Sequence, residues 1–460
     1  MKAIPAIAIF DVGKTNKKVL LFDEQYKLVH EESIQLPETK DQDSFPCEDI
    51  DALSKWVWEK FCHFSAWDNI KLRGVNFSAY GASFVHLDSN HKPITPLYNY
   101  LKPYPEVLKK KFYDTYGSES LIAKQTASPV LGSLNSGMQL YRLKHEQPKI
   151  YEQIKYSLHL PQYLSFILTS TFTTDLTSIG CHTQLWDFQK HHYHRWVKKE
   201  GLDSKFAPIF NSDKVVHVSK NDITVGIGLH DSSAALIPYL AAFHEPFALL
   251  STGTWCISLN PFNHSLLTDY ELHQDCLCYI TYDGKPVKAS RLFAGYEHEQ
   301  QVKRLAEHFN KNIDCYKSVA YDSEIIHHLH PSITKGSAKD DAMTGYSFFA
   351  ERDLHDFKTY EEAYHQLISD IIQQQVHSLK LVLNGTSVKR IFVDGGFSRN
   401  SIFMFMLADA FPQLEVFAAA VAQASALGAA LAIHQHWNQK GLPADLIELK
   451  YYTVTENISR

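Results

Sequence analysis

A strand–turn–strand pattern near the beginning of the chain combines a carboxylate, a glycine turn and three lysines. The segment AIAIFDVGKTNKKVLLFD covers residues 6–23, and its turn region contains Asp11 and Gly13. Because glycine has no Cβ, the main-chain N–H groups around it can approach phosphate oxygens. The turn adds two neutral donors and three positive charges, at Thr15, Asn16, Lys14, Lys17 and Lys18. The pattern predicts a hairpin that binds a polyphosphate, and the alternative is a surface hairpin with basic residues.

Asp11 stands where the first predicted strand ends. Mg²⁺ keeps several of its waters in proteins and binds through few carboxylates. We therefore expect Asp11 to hold Mg²⁺ through its water shell. A second strand follows the turn directly, which excludes a P-loop, because that motif leads into a helix.

Two further glycine turns follow later in the chain. The segment FALLSTGTWCISLN at residues 247–260 is again a strand, a Gly253-Thr254 turn and a strand, with an ordinary β-turn as the alternative. The repeat suggests a duplicated architecture with a ligand-binding cleft between the halves. Gly395 and Gly396 follow a short apolar strand, and Asn400 lies where the next helix begins. Such a glycine pair allows a flat ring or a phosphate to approach the backbone.

Asp231 lies in the segment TVGIGLHDSSAALIPYL at residues 224–240, between a glycine-rich strand end and a run of small residues. A carboxylate in that place can accept the hydroxyl proton of a substrate during phosphoryl transfer. The alternative is an N-cap for the helix that follows. The small residues after Asp231 favour a tightly packed helix.

The composition of the chain argues against several classes of partner and site. The 460 residues suggest two or three domains, and a net charge of −6 argues against nucleic acid as a partner. The longest apolar stretch, residues 417–433, is shorter than the roughly 20 residues of a bilayer helix, so no membrane partner is expected. Seven cysteines at irregular spacing predict neither disulfides nor a zinc pattern, and they fit reduced thiols in a cytoplasmic protein.

The segments DVGKTNKK, STGTW, HDSSA and DGGFSRN occur in this order over nearly the full length. Together they resemble the FGGY carbohydrate kinases of the sugar kinase, Hsc70 and actin superfamily. The resemblance implies two ribonuclease H-like α/β domains, at residues 1–240 and 241–460, each with a five-stranded mixed sheet, closing over ATP and a small sugar. It leaves open whether the protein forms a homodimer.

The resemblance also implies roles for individual residues. Residues 14–18 and the Gly253-Thr254 turn would hold the phosphates of ATP, and Gly395 and Gly396 would pack on its adenosine. Asp231 would be the catalytic base. Further nucleotide contacts are expected at Gln300 and Asn400. Similarity to the rhamnulokinase and fuculokinase branch implies sugar contacts at Tyr80, Gly81, His230, Asp231 and Ser232.

Three positions depart from that branch, and all three are expected to touch the sugar pocket. Ser83 stands where the branch often has Asp, Asn99 lies in a segment expected to carry Asp and Arg, and Leu292 replaces a common Asn. The expected activity is transfer of phosphate to a primary hydroxyl of a ketose such as L-rhamnulose or L-fuculose. Xylulose, ribulose or a polyol remain alternative substrates, and a non-catalytic ATP-binding regulator remains the alternative function.

Overall fold

The computed structural model of this chain describes residues 3–81, 83–218, 223–329, 347–421 and 423–453. The chain divides into two compact units. Unit 1 comprises Met1–Ala242 with Cys278–Pro286 and Ala422–Leu446, and unit 2 comprises Phe243–Leu277, Val287–Val421 and Ile447–Arg460. Two later segments therefore belong to unit 1, a return that the expected division at residue 240 does not include.

The strands in the described ranges, numbered in chain order, are Ile4–Val12 (β1), Lys17–Asp23 (β2), Leu28–Ile34 (β3), Glu38–Lys40 (β4), Pro46–Glu48 (β5), Ile70–Ala79 (β6), Phe84–Leu87 (β7), Tyr156–His159 (β8), Thr174–Asp175 (β9), Trp186–Asp187 (β10), His192–Tyr193 (β11), Ile209–Phe210 (β12), Val215–Val218 (β13), Ile223–Gly226 (β14), Leu229–His230 (β15), Phe247–Thr252 (β16), Cys256–Asn260 (β17), Cys276–Ile280 (β18), Pro286–Leu292 (β19), Arg390–Gly395 (β20), Glu415–Ala420 (β21) and Glu448–Tyr452 (β22).

The α-helices in the same ranges are Ile50–Ser65 (α1), Glu106–Tyr116 (α2), Glu119–Thr126 (α3), Ser136–Glu146 (α4), Pro148–Gln153 (α5), Leu160–Thr169 (α6), Leu176–Ile179 (α7), Arg195–Lys199 (α8), Asp231–Ala242 (α9), Asp269–His273 (α10), Ala294–His308 (α11), Ser323–His327 (α12), Tyr360–Leu383 (α13), Ser401–Ala410 (α14), Ala424–Ala432 (α15) and His434–Trp437 (α16). None of these helices is long and apolar enough to cross a membrane.

The central sheet of unit 1 has the order β13-β14-β6-β1-β2-β3, and β15 also pairs with β6. Strand β1 runs antiparallel to β2 and parallel to β6. Its residues from Ala6 to Phe10 are at most 1% exposed, as expected for a strand covered on both faces. The sheet has seven strands rather than the five expected, because β13 and β15 are added to the five-stranded arrangement.

The central sheet of unit 2 repeats this arrangement. Its order is β18-β19-β17-β16-β20-β21-β22, again with seven strands. Strand β16 runs antiparallel to β17 and parallel to β20, as β1 does with β2 and β6. The duplicated α/β architecture expected from the two hairpins is thus confirmed, with β18 and β22 as the additional strands.

Helices α13 and α9 agree with what their sequences predict. Helix α13 begins at the Thr359 N-cap, whose side chain accepts a hydrogen bond from the Glu362 N–H, and it is followed by Gly385 at φ +74°. In unit 1, helix α9 packs closely on α15. A Cβ on Gly428 would lie 1.8 Å from the Ala234 carbonyl oxygen, so only glycine permits this approach. The small residues after Asp231 are therefore explained by tight helix packing.

Candidate active site

The first glycine turn is a closed loop between β1 and β2. The Gly13 N–H donates to the Asn16 carbonyl oxygen over 3.0 Å. Thr15 and Asn16 are exposed at the turn, and the Asn16 Oδ1 accepts a hydrogen bond from Gln35. The exposed donors of the turn are consistent with the expected phosphate contact.

The three lysines of this turn have different surroundings. Lys17 is 2% exposed, and its ammonium lies 2.8 Å from Glu48 and 2.9 Å from the Lys14 carbonyl oxygen. Lys18 is half-buried and pairs with Glu31 and with Gln423. Only Lys14 keeps a loose ion pair, at 3.4 Å from Glu48. The phosphate contact expected at Lys17 stays a prediction, and it would require the ammonium to leave its buried ion pair with Glu48.

Asp11 occupies the end of β1 and is half-buried. The Ser425 hydroxyl, from the segment that returns to unit 1, donates to its Oδ2 over 2.8 Å. Burial raises the pKa of Asp11 to about 6, the Ser425 hydrogen bond lowers it, and the negative charge of Asp231 raises it further. Asp11 and Asp231 are therefore close enough in unit 1 to affect each other's ionisation. A divalent cation beside Asp11 would relieve this repulsion, and a carboxylate with a neighbouring hydroxyl is a donor set that suits Mg²⁺.

Asp231 is the first residue of α9, directly after the short strand β15. Its Oδ1 accepts hydrogen bonds from the Ser232 N–H at 2.6 Å and the Ser232 hydroxyl at 3.2 Å. An N-cap carboxylate would instead accept from N–H groups two or three residues further on. In the described part of the chain its Oδ2 has no hydrogen-bond donor, so this oxygen is available to a ligand.

The ionisation of Asp231 is tuned by its surroundings. Burial raises the pKa of Asp231 to about 6, while the hydrogen bonds from Ser232 oppose the rise. The side chain still has 36% of its surface exposed, so solvent and ligands reach it. At neutral pH the carboxylate is ionised and able to accept a proton. This pKa is close to the working range of a general base.

His230 lies between Asp231 and two small neighbours, Cys181 and Gly81. The His230 Nε2 lies 3.2 Å from the Asp231 Oδ1 and 3.0 Å from the Cys181 Sγ. Burial lowers the pKa of His230 to about 3, so its ring is neutral. A Cβ on Gly81 would lie 2.6 Å from the Cys181 Sγ and 3.1 Å from the His230 ring. The structure thus brings Gly81, His230, Asp231 and Ser232 together, as expected from sequence.

Two tyrosines adjoin this group. Tyr80 is buried, and its ring lies 5.8 Å from the ring of Tyr100, centroid to centroid. Burial raises the pKa of Tyr100, and the charge of Asp231 adds to that rise, which places the two side chains near each other. The Lys14 ammonium lies 6.0 Å from the centre of the Tyr80 ring. Tyr80 therefore joins the first turn to the neighbourhood of Asp231.

In unit 2, the end of β16 is hydrogen-bonded to the glycine pair that follows β20. The Gly396 N–H donates to the Thr252 carbonyl oxygen over 2.8 Å, and the Phe397 N–H donates to the Thr252 hydroxyl over 3.0 Å. Gly395 has φ +90°, and a Cβ there would lie 1.9 Å from the Thr252 carbonyl oxygen. Glycine is required at this position by both the backbone conformation and the close approach.

A cavity of about 600 Å³ in unit 2 is lined by three of the expected nucleotide contacts, Gly253, Gly396 and Asn400. Sequence reasoning missed several other lining residues, among them Thr252, Gly295, His298, Tyr316, Tyr364 and Arg399. The size and mixed lining suit a small-molecule site.

Three polar side chains on different elements meet at this cavity. The Tyr364 hydroxyl lies 2.9 Å from the His298 Nε2 and accepts a hydrogen bond from the Asn400 Nδ2 over 2.8 Å. The Asn400 Oδ1 also caps α14 by accepting from the Phe403 N–H. Tyr364 belongs to the apolar pattern of α13 in the sequence, so its polar role is visible only in the folded chain.

Gln300, expected to contact the nucleotide, does not line the cavity. Gly295 and His298 are three residues apart on α11 and therefore share a helix face. Gln300 comes two positions after His298, which turns its side chain by about 200° to another face. The nucleotide contact expected at Gln300 stays a prediction, and His298 is the residue of this helix that lines the cavity. Thr254 and Gly395 also lie outside the lining.

The three departures from the expected sugar pocket have local structural roles. Asn99 is buried, donates to the Pro46 carbonyl oxygen and accepts from the Leu101 N–H. Leu292 lies in the hydrophobic core of unit 2, together with Leu250 and Val393. Ser83 is 1% exposed. Asn99 and Leu292 are thus explained by hydrogen bonding and packing of their own segments.

Comparison with known families identifies both halves of the chain. Residues 6–238 match the N-terminal domain of the FGGY family of carbohydrate kinases, and residues 244–441 match the FGGY carbohydrate kinase C-terminal domain. The chain belongs to the FGGY family.

Similar proteins within the family are distant. A rhamnulokinase from Halalkalibacterium halodurans is 26% identical over 184 residues, covering 38% of this chain and 37% of that protein. An L-fuculokinase from Salmonella typhi is 25% identical over 288 residues, covering 57% of this chain and 59% of that protein. The aligned regions thus span between about a third and three fifths of these relatives.

Solved structures share the FGGY fold over nearly the whole chain. A carbohydrate kinase from Novosphingobium aromaticivorans has a TM-score of 0.79 at 22% identity, with 98% of this chain and 96% of that chain covered. A ligand-bound xylulose kinase from Lactobacillus acidophilus has the same TM-score at 16% identity, with 98% and 94% covered. At these identities the likeness describes the fold.

Proposed function

We propose that this FGGY protein transfers the γ-phosphoryl group of ATP to a primary hydroxyl of a small sugar, with Asp231 as the general base. The observation that carries the proposal is the Asp231 carboxylate. It has one oxygen fixed by Ser232, a second oxygen without a donor in the described ranges, and a pKa of about 6.

The proposed chemical step follows from this geometry. The Ser232 N–H and hydroxyl hold Oδ1 in place, so Oδ2 orients the substrate hydroxyl and accepts its proton as the oxygen attacks phosphorus. Gly81 and the neutral His230 ring lie beside the carboxylate, and Tyr80 and Tyr100 add apolar ring surface. Phosphoryl transfer requires mainly positioning and charge stabilisation, which these fixed groups supply.

The nucleotide is assigned to unit 2 in this proposal. Gly253, Gly396 and Asn400 line its cavity, and the Tyr316 and Tyr364 rings offer surfaces for a base. Asp11 would hold Mg²⁺ in unit 1, with Thr15, Asn16 and Lys14 as donors toward phosphate. Mg²⁺ supplies charge neutralisation for the polyphosphate. Lys17 supports the turn through Glu48 and is not assigned a ligand.

The proposed acceptor is a ketose of the L-rhamnulose or L-fuculose type. The support is that the rhamnulokinase and L-fuculokinase relatives align with this chain at 26% and 25% identity. Xylulose is the main alternative, because xylulose kinases share the fold. Ser83 and Asn99 stand where the branch often has charged residues, which favours a deoxy sugar with an apolar face.

The test is coupled detection of ADP release with Mg²⁺ and a panel of L-rhamnulose, L-fuculose, xylulose, ribulose and polyols, with the aldose L-rhamnose as a control that should be inactive. A kinase turns over with one or few sugars and stays slow without them. Slow ATP hydrolysis that no sugar stimulates would instead support a nucleotide-dependent regulator. Absence of both turnover and ATP binding would overturn the proposal. The exposed-loop variant Asp88→Asn serves as the matched carboxylate control, since Asp88 lies outside the group around Asp231.

A further inference from the structure

Next to Asp231, unit 1 contains a compact set of sulfur and nitrogen donors. Cys181, His182 and His230 each offer one ligand atom, and these atoms lie within 4.8 Å of one another. We propose that this set, completed by the Asp231 carboxylate, binds a borderline-soft divalent cation of the Zn²⁺ class. The binding does not depend on the proposed kinase function.

Two of the distances between these donor atoms are close to those of tetrahedral coordination. With zinc–sulfur and zinc–nitrogen bonds of roughly 2.3 and 2.0 Å, neighbouring ligand atoms are about 3.3–3.6 Å apart. The His230 Nε2 lies 3.0 Å from the Cys181 Sγ and 3.2 Å from the Asp231 Oδ1. These pairs need to separate by only about half an ångström to admit the ion.

His182 carries the hydrogen bond that is typical of a metal-ligating imidazole. Its Nδ1 lies 3.1 Å from the Leu134 carbonyl oxygen, which can only accept, so Nδ1 carries the proton and donates. In the neutral ring the lone pair is then on Nε2. Metal-bound histidines almost always donate their other ring N–H to a carbonyl or carboxylate in this way. His182 also has φ +37°, a conformation that L residues rarely adopt.

Charge and access favour the same ion. A Cys181 thiolate and the Asp231 carboxylate would together balance a divalent cation, and binding would release the thiol proton. Cys181 is fully buried and His230 is 3% exposed, whereas the Asp231 side chain is 36% exposed and leaves a way in. Sulfur and imidazole ligands select Zn²⁺-type ions over Mg²⁺, which prefers oxygen.

The consequence for activity rests on the proposed function. An ion held by Asp231 occupies the carboxylate that would accept the sugar's proton, and an ion held by His230 occupies a proposed sugar contact. The site therefore makes Zn²⁺ an inhibitor that competes with the sugar and not with ATP.

The binding experiment uses Co²⁺ as a spectroscopic probe on the full chain, stripped with a chelator and kept reduced with a phosphine. We expect one equivalent of Co²⁺ to give a thiolate-to-cobalt charge-transfer band and visible bands of tetrahedral intensity, both removed by Zn²⁺. Cys181→Ser should lose the charge-transfer band, and His182→Gln should weaken binding at least about tenfold, since even second-shell losses cost roughly 10–100-fold. The control Cys62→Ser, at an exposed cysteine, should bind as the parent does.

Two results would overturn the site: no tetrahedral cobalt spectrum in the parent chain, or a charge-transfer band that persists in Cys181→Ser. Circular dichroism of each variant shows that lost binding is not lost folding. Inhibition of sugar phosphorylation is then measured at buffered free Zn²⁺ concentrations with excess Mg²⁺. Each variant is compared with its own rate in the absence of Zn²⁺. A cobalt spectrum in a chain that phosphorylates no sugar would leave the site standing and refute the kinase proposal.

Discussion

The two glycine turns occupy equivalent places in the two sheets, yet they are stabilised by different forces. The turn after β1 is supported by ion pairs, chiefly the buried Lys17 and Glu48 side chains. The turn after β16 is supported by close backbone contacts, with Gly295 against the Gly253 carbonyl oxygen. The first turn thus lies near the carboxylates Asp11 and Asp231, and the second lines a cavity that contains the basic residues Lys317 and Arg399. The two units thus share a strand arrangement but differ in the side chains around their glycine turns.

The largest effect is expected from Asp231→Asn, which removes the proposed base and leaves unit 2 unchanged. Turnover should fall by about 10²–10⁴-fold, the usual contribution of a positioned general base. ATP affinity, measured by calorimetry, should stay within about twofold. Turnover equal to that of the parent would return Asp231 to a purely structural role.

Lys17→Met tests whether the first turn depends on its ion pair. Removing Lys17 leaves the buried Glu48 carboxylate with the looser Lys14 pair at 3.4 Å, so the free energy of unfolding should fall by up to about 3–5 kcal/mol. Urea denaturation measures this loss. The control is Lys55→Met, because the exposed Lys55–Glu59 pair should contribute less than about 1 kcal/mol. If the two substitutions lowered the free energy of unfolding equally, the first turn would not depend on its buried ion pair.

Gly295→Ala tests the second turn. Its Cβ would lie 1.8 Å from the Gly253 carbonyl oxygen, so the turn must move, at a cost of about 1–3 kcal/mol or more. ATP should bind more weakly as the cavity deforms. Gly253→Ala is the matched control, since its Cβ would meet only the Trp255 carbonyl oxygen, at 3.8 Å. That control should keep its stability, and an equally stable Gly295→Ala would contradict the proposed backbone support.

The smallest effect concerns pH. Because Asp231 must be ionised to accept a proton, kcat/KM should fall about tenfold per pH unit below about 6. With excess Mg²⁺ the charge of the neighbouring Asp11 is neutralised, so the fall of kcat/KM at low pH reflects protonation of Asp231. A profile flat down to pH 5 would exclude Asp231 as the titrating base.

The features that could be predicted from the sequence are those determined by neighbouring residues. The hairpins, the Thr359-capped helix and the glycine pair after β20 each have their signal within a few residues, because turns, caps and periodicity are short-range features. The sequence did not predict that Ser425 bonds to Asp11, that Glu48 neutralises Lys17, or that Tyr364 joins His298. Those contacts link residues far apart in the chain. Cysteine spacing likewise excluded a zinc pattern, whereas Cys181 and His230 meet only through folding.

The return of residues 422–446 to unit 1 affects how the protein is made. Ser425 and Gly428 can reach Asp11 and Ala234 only after most of unit 2 has been synthesised. In a nascent chain emerging from the ribosome, the first unit would therefore stay incomplete until the second unit is almost fully synthesised. Until then, helix α9 would lack its partner α15. Fragments cut near residue 240 should consequently associate with chaperones rather than fold alone.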